Sequence, residues 1–112
     1  MAPPERLKRR AEFRRAAAAG SKAAVHGLVL QAFDRRDALP VRLGFTVTKK
    51  VGNAVIRNRT RRRLKEAARL VFAERAAPGM DLVLIGREAT RSRPFAALIE
   101  DVRRALARAG VT

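Results

Sequence analysis

The chain predicts an α+β fold, one mixed sheet packed by helices in the order helix, strand, strand, helix, strand, helix. Three observations carry that prediction. Apolar residues alternate with period two over residues 24–33 and 41–48, as strands with unlike faces require. Helical spacing is sustained over residues 53–75 and again over 94–109. Between these helices lies the apolar run Met80-Asp81-Leu82-Val83-Leu84-Ile85, which suits a strand covered on both faces. At 112 residues, 47% of them apolar, the chain is expected to form a single αββαβα domain over residues 1–112 with a modest core.

Taken in order, residues 1–5 contain Pro3 and Pro4 and are expected to be a mobile lead. Residues 6–19 are helix-prone, with Leu7, Ala11 and Ala18 on one stripe and Gly20 as the stop. Phe13 lies off that stripe among Arg9, Arg10, Ala16 and Ala17. Its ring could stack on a single-stranded base, worth about 1–3 kcal/mol, or pack inward on the sheet. Residues 24–33 read as one strand, with His26, Leu28, Leu30 and Ala32 on one face and Val25, Val29, Gln31 and Phe33 on the other. Residues 34–40 form a loop closed by Pro40. In the next strand Val41, Leu43, Phe45 and Val47 alternate with Arg42, Gly44, Thr46 and Thr48. The second face is small or polar and leaves room for a groove.

Gly52 and Asn53 then mark a tight turn and a helix N-cap. From Asn53 a stripe of Ile56, Thr60, Leu64, Ala67, Ala68 and Val71 follows buried-face spacing, and the helix is expected to run to about Arg75. Ala76-Ala77-Pro78-Gly79 ends it. Residues 87–93 read as loop, with Ser92 as cap and Pro94 in the first turn of a last helix. That helix carries Phe95, Leu98, Ile99, Val102 and Leu106 on its apolar face and ends at Gly110. The two strands joined by the basic helix should be parallel, and general strand chirality predicts a right-handed crossover in about 98% of such units.

Charge dominates the chemistry. The formal net charge is +16 and the isoelectric point about 12.0, so the free chain repels itself and favours a polyanionic partner. Of the seventeen residues from Lys49 to Lys65, eight are basic and none is acidic. On the helix Asn58, Arg62, Lys65 and Arg69 form one column, with Arg57, Arg59, Arg61 and Arg63 between it and the apolar stripe. Like charges at i, i+4 repel by about 0.2–0.5 kcal/mol per pair, and only Glu66 and Glu74 relieve them within the helix. A polyanion would remove the repulsion, a first physical hint of a nucleic-acid ligand.

Other chemistries lack their residues. There is no cysteine, hence no disulfide framework or thiolate zinc site. The only histidine, His26, has no partner at metal-ligand spacing, and Asp34 and Asp37 read as solvated loop carboxylates. Gly20-Ser21-Lys22 is not a phosphate loop. No catalytic residue and no metal site is assigned to this chain. The N-terminus leads into charge rather than an apolar signal core, and no apolar run reaches the ~18 residues of a membrane span. A cytoplasmic location without membrane contact is therefore expected.

The run Lys49-Lys50-Val51-Gly52-Asn53-Ala54-Val55-Ile56-Arg57-Asn58-Arg59-Thr60-Arg61-Arg62-Arg63-Leu64-Lys65-Glu66-Ala67 resembles the signature of the protein subunit of bacterial ribonuclease P. Its core is Arg57-Asn58-Arg59, preceded by Lys-Lys-x-Gly-Asn-Ala. The resemblance extends more loosely to residues 6–13 and 81–85. It implies a left-handed βαβ crossover, opposite to the general rule. It implies a subunit of a ribonucleoprotein endonuclease that removes the 5′ leader from precursor tRNA, with Mg²⁺ and the active site carried by the RNA subunit. Lys49, Lys50, Asn53, Arg57, Asn58, Arg59, Arg62 and Lys65 would then face the catalytic RNA. Arg61 and Arg63 would join them unless salt-bridged on the surface. A leader cleft would draw on Arg9, Arg10, Phe13, Gln31, Thr46 and Thr48, the resemblance favouring contact for Phe13. The chain departs from the family where aromatics are usual, carrying Ala17 and Gln31 instead. The competing readings are a ribosome-associated RNA-binding protein of the same fold and a DNA-binding protein using the basic helix.

Overall fold

The computed structural model describes residues 3–111. Its strands are β1 (Glu5–Arg6), β2 (Ser21–Ala24), β3 (Leu28–Asp34), β4 (Arg42–Val47) and β5 (Met80–Gly86). Its helices are α1 (Arg10–Ala19), α2 (Ala54–Phe72), α3 (Glu88–Ser92) and α4 (Phe95–Arg108), with a 3₁₀ turn over Lys49–Val51. The strands form one mixed sheet in the order β1-β4-β5-β3-β2. β4 and β5, joined through α2, are parallel as expected, and β3 runs antiparallel to β5. No helix among the described residues is long and apolar enough to cross a membrane.

Each face of the sheet has its own core. Leu28, Leu30 and Ala32 of β3, Leu43 of β4, and Leu82 and Leu84 of β5 meet Leu64, Ala67, Ala68, Val71 and Phe72 of α2 and Leu98, Val102, Ala105 and Leu106 of α4. The stripe read along α2 is thus the buried one, with Thr60 at 1% exposure. The second face is smaller, with Leu7, Ala16 and Val83 buried and Phe13, Phe33 and Ile85 packed against them.

Several expected elements are corrected. Of the lead expected to be mobile, residues 1 and 2 lie outside the described residues, and Glu5–Arg6 is a strand: Glu5 N donates to Val41 O at 2.8 Å and Leu7 N to Leu43 O at 2.9 Å. That pairing delays α1 to Arg10, where the Glu12 carboxylate accepts from Arg9 N at 3.1 Å. The stripe proposed for α1 is wrong after Leu7. Ala11 and Ala18 are exposed, and Ala16 is buried at 1% exposure. The single strand over 24–33 is a hairpin. Val25 N donates to Leu28 O at 3.0 Å across His26-Gly27, and β2 pairs with β3 from Ser21↔Ala32 to Ala24↔Val29. Ser21-Lys22-Ala23-Ala24 has little strand propensity of its own, and pairing with β3 overrides it. α2 stops at Phe72 rather than Arg75, and the loop over 87–93 contains the short helix α3. Phe95, placed on the apolar stripe of α4, lies at its rim with 36% exposure.

Candidate nucleic-acid interface

Gly52 opens the basic turn with φ +152°, a conformation L-residues avoid. Asn53 Oδ1 accepts from Ile56 N at 3.1 Å, so the expected N-cap is present. The helix leaves this turn with its apolar stripe clamped between sheet and α4, which makes the opposite side a rigid outward display.

The structure distributes the signature cations as follows. Lys49, Lys50, Arg59, Arg62 and Lys65 are exposed, and Arg57, Arg61 and Arg63 are half-buried. Among the described residues none of these eight has a carboxylate within 4.0 Å, although eight other arginines do. Three of the eight are steadied by neutral acceptors instead. Arg57 donates to Gly52 O at 3.1 Å, and Arg61 donates to Asn58 Oδ1 at 2.8 Å. Arg63 donates to Arg91 O at 2.9 Å and to Arg93 O. The salt-bridged alternative for Arg61 and Arg63 is therefore not what the structure holds. Neutral acceptors fix direction without cancelling charge.

The second sheet face carries the other candidate residues. By register, Arg42, Asp81 and Phe33 form one row across β4, β5 and β3; Gly44, Val83 and Gln31 form the next; Thr46, Ile85 and Val29 form a third. α1 lies over the first two rows. A Cβ at Gly44 would come within 2.5 Å of the Phe13 ring, so Phe13 is half-buried on the sheet with Gly44 beneath it. Gln31 and Thr46 are half-buried, while Arg10 and Thr48 are exposed. Arg9 is not brought to Thr46. It lines a separate hollow of about 540 Å³ with Glu12, Arg15, Arg35, Asp37 and Arg42. The ring held against a guanidinium is Phe33, with Arg15 4.4 Å from its centroid.

Sequence reading missed Asp81, which it took as part of an apolar run. The residue has no exposure. Its carboxylate accepts from Arg42 Nε at 2.7 Å and Nη2 at 2.8 Å, from Arg35 Nη1 at 2.6 Å and from Arg15 Nη2 at 3.0 Å. Burial alone would raise its pKa, but the hydrogen bonds from Arg42, Arg35 and Arg15 outweigh that and hold the carboxyl below its ordinary value of 3.8. Asp37, read as a solvated loop carboxylate, accepts from Arg35 at 3.1 Å, and that bond holds its carboxyl low as well. Asp101 is a second buried acid, paired with Arg93 at 2.7 Å. The available signal was a lone acid inside an apolar strand, since acids are almost never fully buried unless paired.

Fold and surface together define a small, basic α+β protein that presents, from Lys49 to Lys65, a rigid run of cations meeting no carboxylate among the described residues. The family model described as Ribonuclease P matches residues 1–110. The chain is 63% identical over 106 residues to the ribonuclease P protein component of Gluconacetobacter diazotrophicus, covering 95% of this chain and 91% of that one. It is 52% identical over 103 residues to the component from Ruegeria pomeroyi, covering 89% and 82%. Its fold is similar to the ribonuclease P protein of Staphylococcus aureus, with TM-score 0.79 at 26% identity and 95% of both chains covered. The Thermotoga maritima protein gives TM-score 0.77 at 26% identity, covering 93% of this chain and 96% of that one. The chain belongs to the ribonuclease P protein family, and its function is that of a protein subunit of ribonuclease P in tRNA processing.

Proposed function

We propose that this subunit docks on the catalytic RNA of ribonuclease P through α2 and the turn before it, and holds the 5′ leader of precursor tRNA on the sheet face beside α1. The observation that carries this reading is the set of eight cations from Lys49 to Lys65 that meet no carboxylate among the described residues, in a chain whose other arginines take up most of its acids. Lys49, Lys50, Arg59, Arg62 and Lys65 would contact phosphates directly, while Arg57 and Arg61 would do so from oriented positions. Asn53 serves chiefly to cap the helix, and Asn58 to aim Arg61.

The leader would lie along the open row of Thr46, Ile85 and Val29, bordered by Phe13 and Gln31 and approached by Arg10 and Thr48. With Ala17 and Gln31 in place of aromatics, holding it depends more on charge than on stacking. Mg²⁺ belongs to the RNA subunit in this reading, where it supplies an activated water at the scissile phosphate. This chain's residues screen phosphate repulsion and position the substrate, in the cytoplasm. Reconstitution tests the reading: precursor-tRNA cleavage at low Mg²⁺ should require both the catalytic RNA and this chain. Cleavage by the RNA alone that is unchanged by adding the protein would overturn it.

A further inference from the structure

α2 and the short helix α3 enclose a hollow of about 200 Å³ lined by Ile56, Arg59, Thr60, Arg63 and Arg91. Three of its five lining residues are arginines and none is acidic. Arg91 comes from the β5–α4 connection, outside the basic helix. Its Nη1 lies 3.5 Å from Val51 O and 3.0 Å from the Glu88 carboxylate; Glu88 is 71% exposed and does not line the hollow. Arg63 is fixed by the carbonyls of Arg91 and Arg93, and among the described residues its buried Nε has no partner. Leaving a buried donor unmet costs the fold, and the two carbonyl bonds keep the Arg63 guanidinium at the edge of the hollow.

We propose that this hollow is a seat for a single RNA backbone phosphate, gripped by Arg59, Arg63 and Arg91. The RNA-facing surface then runs off α2 onto α3. The inference rests on the docking reading above and adds a residue and a place to it. Guanidinium groups match phosphate oxygens in pairs and in plane. Arg63 is already held, so little side-chain freedom is lost on binding. No aromatic residue lines the hollow, which favours a phosphate over a base.

The test uses the full chain with a transcribed ribonuclease P RNA, plus duplex RNAs of two unrelated sequences, titrated across KCl concentration. Arg91→Gln removes the charge but keeps a donor for Val51 O. It should weaken binding several-fold at physiological salt, reduce the salt slope by about one, and do so equally for every RNA sequence. Arg91→Glu should weaken binding further. Arg103→Ala, on α4, should leave the slope at the wild-type value. An Arg91→Gln chain with a native circular dichroism spectrum and an unchanged slope overturns the seat alone. Losses that depend on RNA sequence overturn it in favour of a base. A shallow wild-type slope, near −1, overturns the docking reading and the seat with it.

Discussion

Asp81 shows how much one residue can decide. Its carboxylate joins three arginines from α1, the loop after β3, and β4, so it ties α1 to the sheet beside the proposed cleft. Removing one partner of a buried ionic cluster costs about 3–5 kcal/mol, because the remaining charges stay desolvated. Asp81→Ala should therefore lower stability by about that amount in denaturant melts. The sign of the pH dependence follows from the lowered pKa. The stabilisation is full above the unfolded-state value near 3.8 and fades as pH falls through the lower folded value. Asp81→Asn should consequently lose less stability than the wild type between about pH 5 and pH 2, as thermal unfolding would show. Arg59, by contrast, makes no side-chain hydrogen bond among the described residues. Arg59→Ala should weaken RNA binding while leaving the circular dichroism spectrum native, and unchanged binding would remove it from the interface.

At the scale of elements, α2 is helical against its own electrostatics. Its first turns carry no acid and many arginines, which oppose the helix dipole. The Asn53 cap and the stripe from Thr60 to Phe72 offset that cost through local bonding and burial. Losing a cap costs about 1 kcal/mol, or about 4 °C in melting temperature for a domain this size, so Asn53→Ala should show a shift of that order. Gly52→Ala should be worse, because φ of +152° is strained for alanine and the new Cβ would sit 2.9 Å from Ile56 Cγ2. Calorimetry on the two variants would rank them. The stripe and cap of α2 and the stripe and glycine stop of α4 were legible in sequence because each is a local pattern. The Ser92 cap was not borne out: Ser92 closes α3, and α4 starts after Pro94 with no side-chain cap. The β2–β3 hairpin was not legible, since β2 owes its existence to backbone pairing with β3 rather than to its side chains. β1 escaped notice for the same reason.

Across the whole molecule, the net charge of +16 sets two opposite salt responses. The free chain should become more stable as salt rises, because screening weakens self-repulsion. RNA binding should weaken with salt: about six phosphate contacts give a slope of log affinity against log salt of roughly −4 to −5. Melting temperature and filter binding over one KCl series would check both. The expected pattern is a rising melting temperature with a falling affinity.

Residue order alone determined the capped basic helix, the parallel strands on either side of it and the concentration of arginine between Lys49 and Lys65. These are patterns of neighbouring residues, and helix period, turn chemistry and charge density are all set within a few positions of one another. Only tertiary structure decided which arginines stay free. Asp81 draws in arginines from distant segments, and the carbonyls of Arg91 and Arg93 hold Arg63. Ion pairing depends on distance in space, and the partners here stand up to 66 positions apart in the chain.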